Sequence, residues 1–488
     1  MKETSDVVVV GSGLAGFTAA IHAAKLNARV TLLEKTQGPG GGNSFVSNGF
    51  LVGAGTSLQK EAGIEDTPER FYEELLKMLP EADTKQLRAF AFNTTKGIEW
   101  LRSLGIEFHP VVTDPEIERS SFGRINRRVH IVKPGTYTGL RTGNLEGLAF
   151  VLSRLEETFH KAGGTIMVHT RATKIRTDAA GKIIGIEATK GDEQIVIGAT
   201  AVVLTCGGFQ GNKPMLLKYV SKNADKAICR SGRDMDNGIT PNTGEGHAMA
   251  QELGAKLINM NYVYAHTLTP PVLPYPIHEY CQFAVLVNKE GKRFVDESIG
   301  DVMVSNALLQ QPDARGFIIL DSKLYRELAA LTVDQAIGYG APKPLSASSF
   351  EELSSLMHVN SANFIRTMKD FNDAVAQGTT DRLQPPKSGR ERPSWPRNDD
   401  FIRKIDSPPY YAVLIAPGIT FTSGGVLVDD QARIVDQTLK PIPGLYAAGE
   451  ITGGLFTDYY ISGGSLARAV SQGLVAGRNA AEYAKNER

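Results

Sequence analysis

Three glycines, Gly11, Gly13 and Gly16, stand at G-x-G-x-x-G spacing directly behind the four valines Val7–Val10. An unbroken run of β-branched residues suits a strand buried on both faces. At its end the first glycine permits a tight turn. The second lets backbone approach a diphosphate, and the third lets the next helix lie close to the strand. Residues 15–26, from Ala15 on, are good helix formers, and the N–H groups at that helix start suit phosphate oxygens. Residues 29–33 read as a second strand ending on Glu34 and Lys35. An acid about 20 residues past the glycines binds the hydroxyls of an adenosine ribose. Strand, helix, strand and acid in this order predict a dinucleotide site formed by Gly11, Gly13, Ala15, Gly16, Glu34 and Lys35.

Two further stretches carry the same kind of chemistry. Residues 38–42 are glycine except for Pro39, and Asn43 and Ser44 follow. Such a loop wraps a ligand with backbone N–H groups while its polar side chains meet ligand oxygens, so Gly42, Asn43 and Ser44 are candidate contacts. Residues 201–205 form another buried strand that ends in Gly207 and Gly208, again opening the upper sheet edge to a ligand.

The elements that position these residues fit a chain of 488 residues, too long for one core. Apolar residues make up 42% and charged residues 22%, as in a soluble globular protein. Lys+Arg and Asp+Glu both number 53, so no net field draws nucleic acid or an anionic membrane. The first strand starts at Asp6, which leaves no room for a signal peptide, and no apolar run is long enough to span a bilayer. Cys206, Cys229 and Cys281 are odd in number and far apart. They predict no disulfide framework and no metal cluster, and they fit a reducing cytoplasm.

Helical spacing of apolar residues predicts helices over 68–79, 84–104 and 147–160. Short strands are expected at 165–170, 172–177, 183–189 and 194–197. Gly244 opens a helix reaching to 257. Residues 350–376 hold helices broken near Asn360 and Ser361. The proline-rich, mostly basic stretch 382–404 reads as an exposed return linker. Arg119, Arg124, Arg127 and Arg128 read either as a solvated loop or as a site for an anionic substrate or a diphosphate.

With Gly41-Gly42-Asn43-Ser44 and Gly207-Gly208-Phe209, three more segments complete a pattern. They are Thr243-Gly244-Glu245-Gly246, Val287-Asn288-Lys289-Glu290-Gly291-Lys292-Arg293-Phe294 and Gly444-Leu445-Tyr446-Ala447-Ala448-Gly449-Glu450. Nearly end to end, the chain resembles the fumarate reductase and 3-ketosteroid dehydrogenase superfamily of FAD flavoproteins. The resemblance implies an α/β fold: a Rossmann-like FAD-binding domain of residues 1–257 and 406–488, with an α+β capping domain, 258–405, inserted between them. The active site is then expected in the seam. It also implies non-covalent FAD held by Gly208, Gly449 and Glu450, and by the N–H groups of Ser465 and Leu466 at the start of the last helix. A helix N-terminus there suits the negative charge of the reduced ring. One fingerprint implies no nicotinamide, so the electron acceptor is oxygen, a quinone or a carrier protein.

The resemblance also bears on the reaction. Phe421 and Thr420 stand where fumarate reductases carry histidines, and Tyr460 and Ile461 stand where they carry a dicarboxylate-binding arginine. Their proton-donating arginine falls on Asp301, four residues after Glu297. His266 alone matches a substrate histidine. The ketone-desaturating branch fits better. There a tyrosine and a backbone N–H hold the ketone oxygen, and Tyr460 and Gly464 match them. The run Tyr460-Ile461-Ser462-Gly463 looks like the Δ4 ketosteroid enzymes. Such hydrogen bonds stabilise a developing enolate, and Asp301 is expected to take the α-proton. The expected activity is desaturation next to the ketone of a ring: a 3-ketosteroid, a cyclohexanone or an oxocyclohexanecarboxylate. The arginines at 119–128 favour the carboxylate. The alternative is a reductase of a small unsaturated acid. Tyr262, Tyr264, Tyr275 and Phe283 are candidate pocket walls.

Overall fold

The computed structural model describes residues 4–38, 40–111, 127–133, 146–230, 240–268, 278–338, 340–391, 396–457 and 459–487. It divides into two compact units, one of residues 1–215, 231–263 and 421–488, the other of residues 216–230 and 264–420.

The first unit is built on a six-stranded sheet. Its order is Arg433–Val435, Pro441–Ala447, Ala201–Leu204, Val7–Val10, Val30–Leu33, Thr165–Met167. All pairings are parallel except that of the edge strand Arg433–Val435. The valine run therefore lies inside the sheet and is covered on both faces. Val7 and Val9 share a core with Phe17, Ile21 and Ala476, while Val8 and Val10 share another with Ile186, Met249 and Ile451. This alternation is the strand period of two. Helix Leu14–Ala24 packs along the C-terminal helix Gly464–Asn486. A Cβ on Gly477 would lie 2.1 Å from the carbonyl oxygen of Ala19, so this close approach needs glycine.

The antiparallel sheet Thr170–Thr177, Ile183–Lys190, Glu193–Gly198 appears where alternation predicts it. The helix expected from Gly244 to 257 is shorter. It runs Glu245–Glu252 and stops before Gly254, whose φ is +84°. Leu257–Ile258 is instead a strand paired with Gly425–Val426, because sheet hydrogen bonding to a distant segment outweighs local helix preference.

The second unit is α+β. Its long strand Tyr410–Thr422 pairs with Ile228–Cys229, Gly316–Leu320, Val263–Leu268 and Leu345–Ala347. Helices Asp301–Leu309, Phe350–Met357 and Ser361–Gln377 pack in the same unit. The sequence places the insert at 258–405. The compact unit instead runs 264–420 and takes in 216–230, since Ile228–Cys229 pairs with residues 418–419.

The described residues of 382–404 are not uniformly exposed, since Lys387, Gly389 and Phe401 are buried. Lys387 is fully buried and its Nζ donates to Gln282 O at 2.7 Å and Ala284 O at 3.0 Å, with Glu297 Oε2 at 3.5 Å. Arg293 donates to Glu297 Oε2 at 2.7 Å and to the carbonyls of Pro385 and Pro386 at 2.7 and 3.0 Å. Phe401 is buried against Phe283. Lys387 is a buried cation with partners about a hundred residues away, which local reading does not register.

Candidate active site

The strand Val7–Val10 delivers Gly11 with φ +101°, and a Cβ on Gly16 would lie 1.8 Å from Gly11 O. The turn thus closes tightly onto helix Leu14–Ala24. Gly13 caps that helix without any side-chain hydrogen bond, and Leu14 N donates to Ser44 Oγ at 3.0 Å. Ala15 follows in the first turn and is buried. A helix N-terminus framed by glycines and by Ser44 fits a diphosphate.

Glu34 is buried, and four donors of its own chain hold it. Ser12 N and Oγ reach Oε2 at 3.0 and 2.6 Å, and Thr36 N and Oγ1 reach Oε1 at 2.9 Å each. Ser12 Oγ in turn accepts from Gly40 N at 2.8 Å. The acid expected at ribose hydroxyls therefore ties the glycine turn to the glycine-rich loop. Lys35 Nζ donates to Thr243 Oγ1 at 2.7 Å and pairs with Glu245 Oε1 at 3.0 Å, joining this edge to the Thr243–Gly246 segment.

Glu450 is the centre of a second group. Its Oε2 accepts from Asn43 Nδ2 at 2.8 Å and its Oε1 from Thr422 N at 3.2 Å, while Asn43 Oδ1 accepts from Asn242 Nδ2 at 3.1 Å. Burial pushes the Glu450 carboxyl up to about 7, against these donors. A Cβ on Gly208 would lie 2.3 Å from Glu450 Oε1, so only glycine lets the backbone sit this close. Gly42 lies beside Asn242, and Gly449 N donates to Gln472 Oε1 at 3.0 Å. The cradle at Gly11–Leu14 and the cleared backbone at Gly208 fit FAD. Gly40, Asn43 and Ser44 all make contacts the cradle needs, and residues 40–50 contain no histidine for a covalent link. The purified protein is expected to be yellow. Acid precipitation should leave its flavin in the supernatant, and flavin pelleting with the chain would contradict non-covalent binding.

Tyr460 precedes the helix Gly464–Asn486, whose cap Gly463 has φ +76°. Its Oη accepts from Ser465 N at 3.1 Å, and its ring meets Phe421 and Phe456 edge-on, each at 5.1 Å. Burial raises the phenol pKa, and the Ser465 N–H pulls it back. A hydroxyl that accepts from a helix N-terminus is a stronger donor in turn. The Gly464 N–H, expected at a ketone oxygen, donates instead to Ile461 O at 2.9 Å. Likewise the Ser465 N–H, expected at the flavin ring, serves Tyr460. Ser462 and Leu466 are buried in this turn.

In the second unit Asp301 opens its helix after Gly300, whose φ is +91°. Its Oδ2 lies 2.7 Å from His266 Nδ1, and its Oδ1 accepts from Thr267 N at 2.9 Å. The two side chains are only 12% and 9% exposed, so the contact is largely shielded from water. The His266 ring meets Tyr264 edge-on at 4.7 Å. Arg230 Nη1 donates to Thr420 Oγ1 at 3.1 Å, and its charge acts on Asp301 and His266. Burial holds His266 below its ordinary 6.5; Asp301 opposes this and Arg230 adds to it. A neutral imidazole with its Nδ1–H on a carboxylate presents Nε2 as the base. Sequence treats Asp301 as the base and His266 as a separate candidate. The structure joins them in one side-chain contact.

Arg128 is no anion site. It is buried between Asp66 and Glu74, with Nη2 at 2.9 and 3.2 Å from their oxygens. Arg119, Arg124 and Tyr275 lie outside the described residues. Phe283 packs on Phe401, and Tyr262 Oη lies 3.5 Å from Glu81 Oε2. Sequence reading missed Arg230 and Arg468, which belong to no glycine-rich motif. Among the described residues no group of His, Cys, Asp and Glu is arranged to hold a metal ion, and no helix is long and apolar enough to cross a membrane.

Comparison with known proteins gives a consistent picture. A family model described as FAD binding domain matches residues 6–466. A probable fumarate reductase of Shewanella frigidimarina is 32% identical, over 99% of this chain and 76% of its own length. The 3-ketosteroid Δ4-(5α)-dehydrogenase of Rhodococcus jostii, solved with 4-androstene-3,17-dione, matches with a TM-score of 0.74. It is 27% identical over 98% of this chain and 97% of that one. The open conformation of a flavocytochrome c3 fumarate reductase gives 0.72, at 31% identity, over 99% and 79%.

Proposed function

The chain belongs to the FAD binding domain family, with fumarate reductases and a 3-ketosteroid dehydrogenase among its relatives, and from this premise we propose that it introduces a C=C bond next to a ring ketone. The observation that carries the reading is Tyr460 Oη, which accepts from Ser465 N in the first turn of helix Gly464–Asn486. A phenol so placed donates to a carbonyl oxygen and stabilises the enolate that forms when the α-proton leaves. Phe421 and Phe456 pack edge-on beside it and hold its ring in place. The base in this reading is His266, neutral and oriented by Asp301, which takes the α-proton at Nε2. Bound FAD supplies the two-electron oxidant. The substrate is a cyclohexanone, an oxocyclohexanecarboxylate or a 3-ketosteroid, and the reduced protein passes its electrons to oxygen, a quinone or a carrier protein.

One observation favours the opposite direction on a small unsaturated acid: Arg230, whose charge reaches the His266–Asp301 pair, is a cation suited to a carboxylate. Anaerobic mixing separates the two. Loss of the oxidised flavin absorbance on adding one of the three ring ketones is the expected result. Bleaching by none of them, with dithionite-reduced protein reoxidised by fumarate or acrylate, overturns it.

A further inference from the structure

Arg468 is a cation in an unfavourable place. It stands in the second turn of helix Gly464–Asn486, near the N-terminus, where the helix field disfavours positive charge. It is fully buried, and burial pulls its pKa down to about 10. Its Nη1 donates to Thr452 O at 3.1 Å, while Nε and Nη2 are buried without an acceptor among the described residues. No ion pair of Arg468 occurs among those residues either. A buried charge left this way is costly, and orphaned buried donors call for an explanation.

The surroundings supply one. The guanidinium lies 5.1 Å over the ring of Phe456, and that ring packs on Tyr460. The opposite charges that act on Arg468 are Glu450 and the oxygen of Tyr460 when it carries negative charge. Glu450 is spoken for by Asn43 and Thr422. Those donors are neutral and leave the attraction of Glu450 in place, so it acts on the cation together with any negative charge arising at the Tyr460 hydroxyl.

We propose that Arg468 is a positioning residue whose charge stabilises the oxyanion formed at Tyr460, and so assigns the site to ligands that become enolates. The inference rests on the ketone-polarising reading of Tyr460. The attraction of the guanidinium grows as electrons move onto the ketone oxygen, so its interaction is stronger in the transition state than before it.

The test uses phenols of graded acidity as enolate mimics on the FAD-loaded protein. Affinities for phenol and phenolate forms are read from the perturbed flavin absorbance. Wild type should prefer the phenolate. Arg468→Met should lower that preference on the order of tenfold or more, since a unit charge is lost from a low-dielectric site. Arg468→Lys should retain most of it. A preference unchanged in Arg468→Met overturns the proposal. So does an equal loss for neutral and anionic forms, which marks a packing role. If the methionine variant does not retain FAD, Arg468→Gln takes its place in the same comparison. Tyr460→Phe separates the two readings. If it leaves phenolate affinity unchanged, the assignment of Tyr460 fails and this one with it. If it lowers that affinity while the Arg468 variants do not, only the role of Arg468 falls.

Discussion

His266→Gln keeps FAD and slows flavin reduction by a ring ketone ~10²–10⁴-fold, the usual loss when a general base is removed. Gln preserves a polar side chain of similar reach but has no nitrogen that takes up a proton. The neutral ring is the active form, and burial holds its pKa below 6.5. Wild-type flavin reduction should therefore be level through neutral pH and fall as acid protonates Nε2. Asp301 acts in the other sense, raising the pKa of His266 across the 2.7 Å contact. Asp301→Asn should then move the acid limb to lower pH and reduce the plateau, because an amide no longer fixes which nitrogen carries the proton. Stopped-flow traces of flavin reduction across pH measure both. A His266→Gln variant reduced at the wild-type rate would remove His266 from the mechanism, and Asp301 would return as the base.

Tyr460→Phe also keeps FAD, since Glu450, Asn43, Ser44 and the Gly11 turn are untouched. The loss of one oxyanion donor costs on the order of 10²–10³ in rate. The Ser465 N–H loses its acceptor as well, and the ring contacts with Phe421 and Phe456 survive. The effect should thus appear in the rate of flavin reduction, with ketone affinity changed far less. A variant that reduces its flavin normally would show that another group polarises the ketone. The Gly464 N–H is a poor candidate, since it already serves Ile461 O.

Much of the FAD-binding unit is legible in the chain because its signals are local. Val7–Val10 can be buried on both faces only inside a sheet, and Gly11 and Gly16 occupy places where a Cβ meets backbone. The antiparallel strands between 170 and 198 follow from alternation and turn residues over short spans. The helix after Gly244 ends at Glu252, short of the expected 257, and Leu257–Ile258 pair with Gly425–Val426, a partner no local window contains.

The sequence by itself determined the cofactor fold, since backbone freedom and apolar periodicity are properties of neighbours in the chain. Only the tertiary structure decided what the charged and titratable residues do. His266 and Asp301 are 35 residues apart and become one hydrogen-bonded pair through the meeting of a strand and a helix start. Lys387 turns from a linker charge into a buried anchor because Glu297, Gln282 and Ala284 surround it. Glu34 closes a turn with Ser12 and Thr36, and Arg468 lies over Phe456, which packs on Tyr460. The physical reason is common to all four. A charged or titratable side chain takes its role from the dielectric and the partners around it, and both are set by long-range packing.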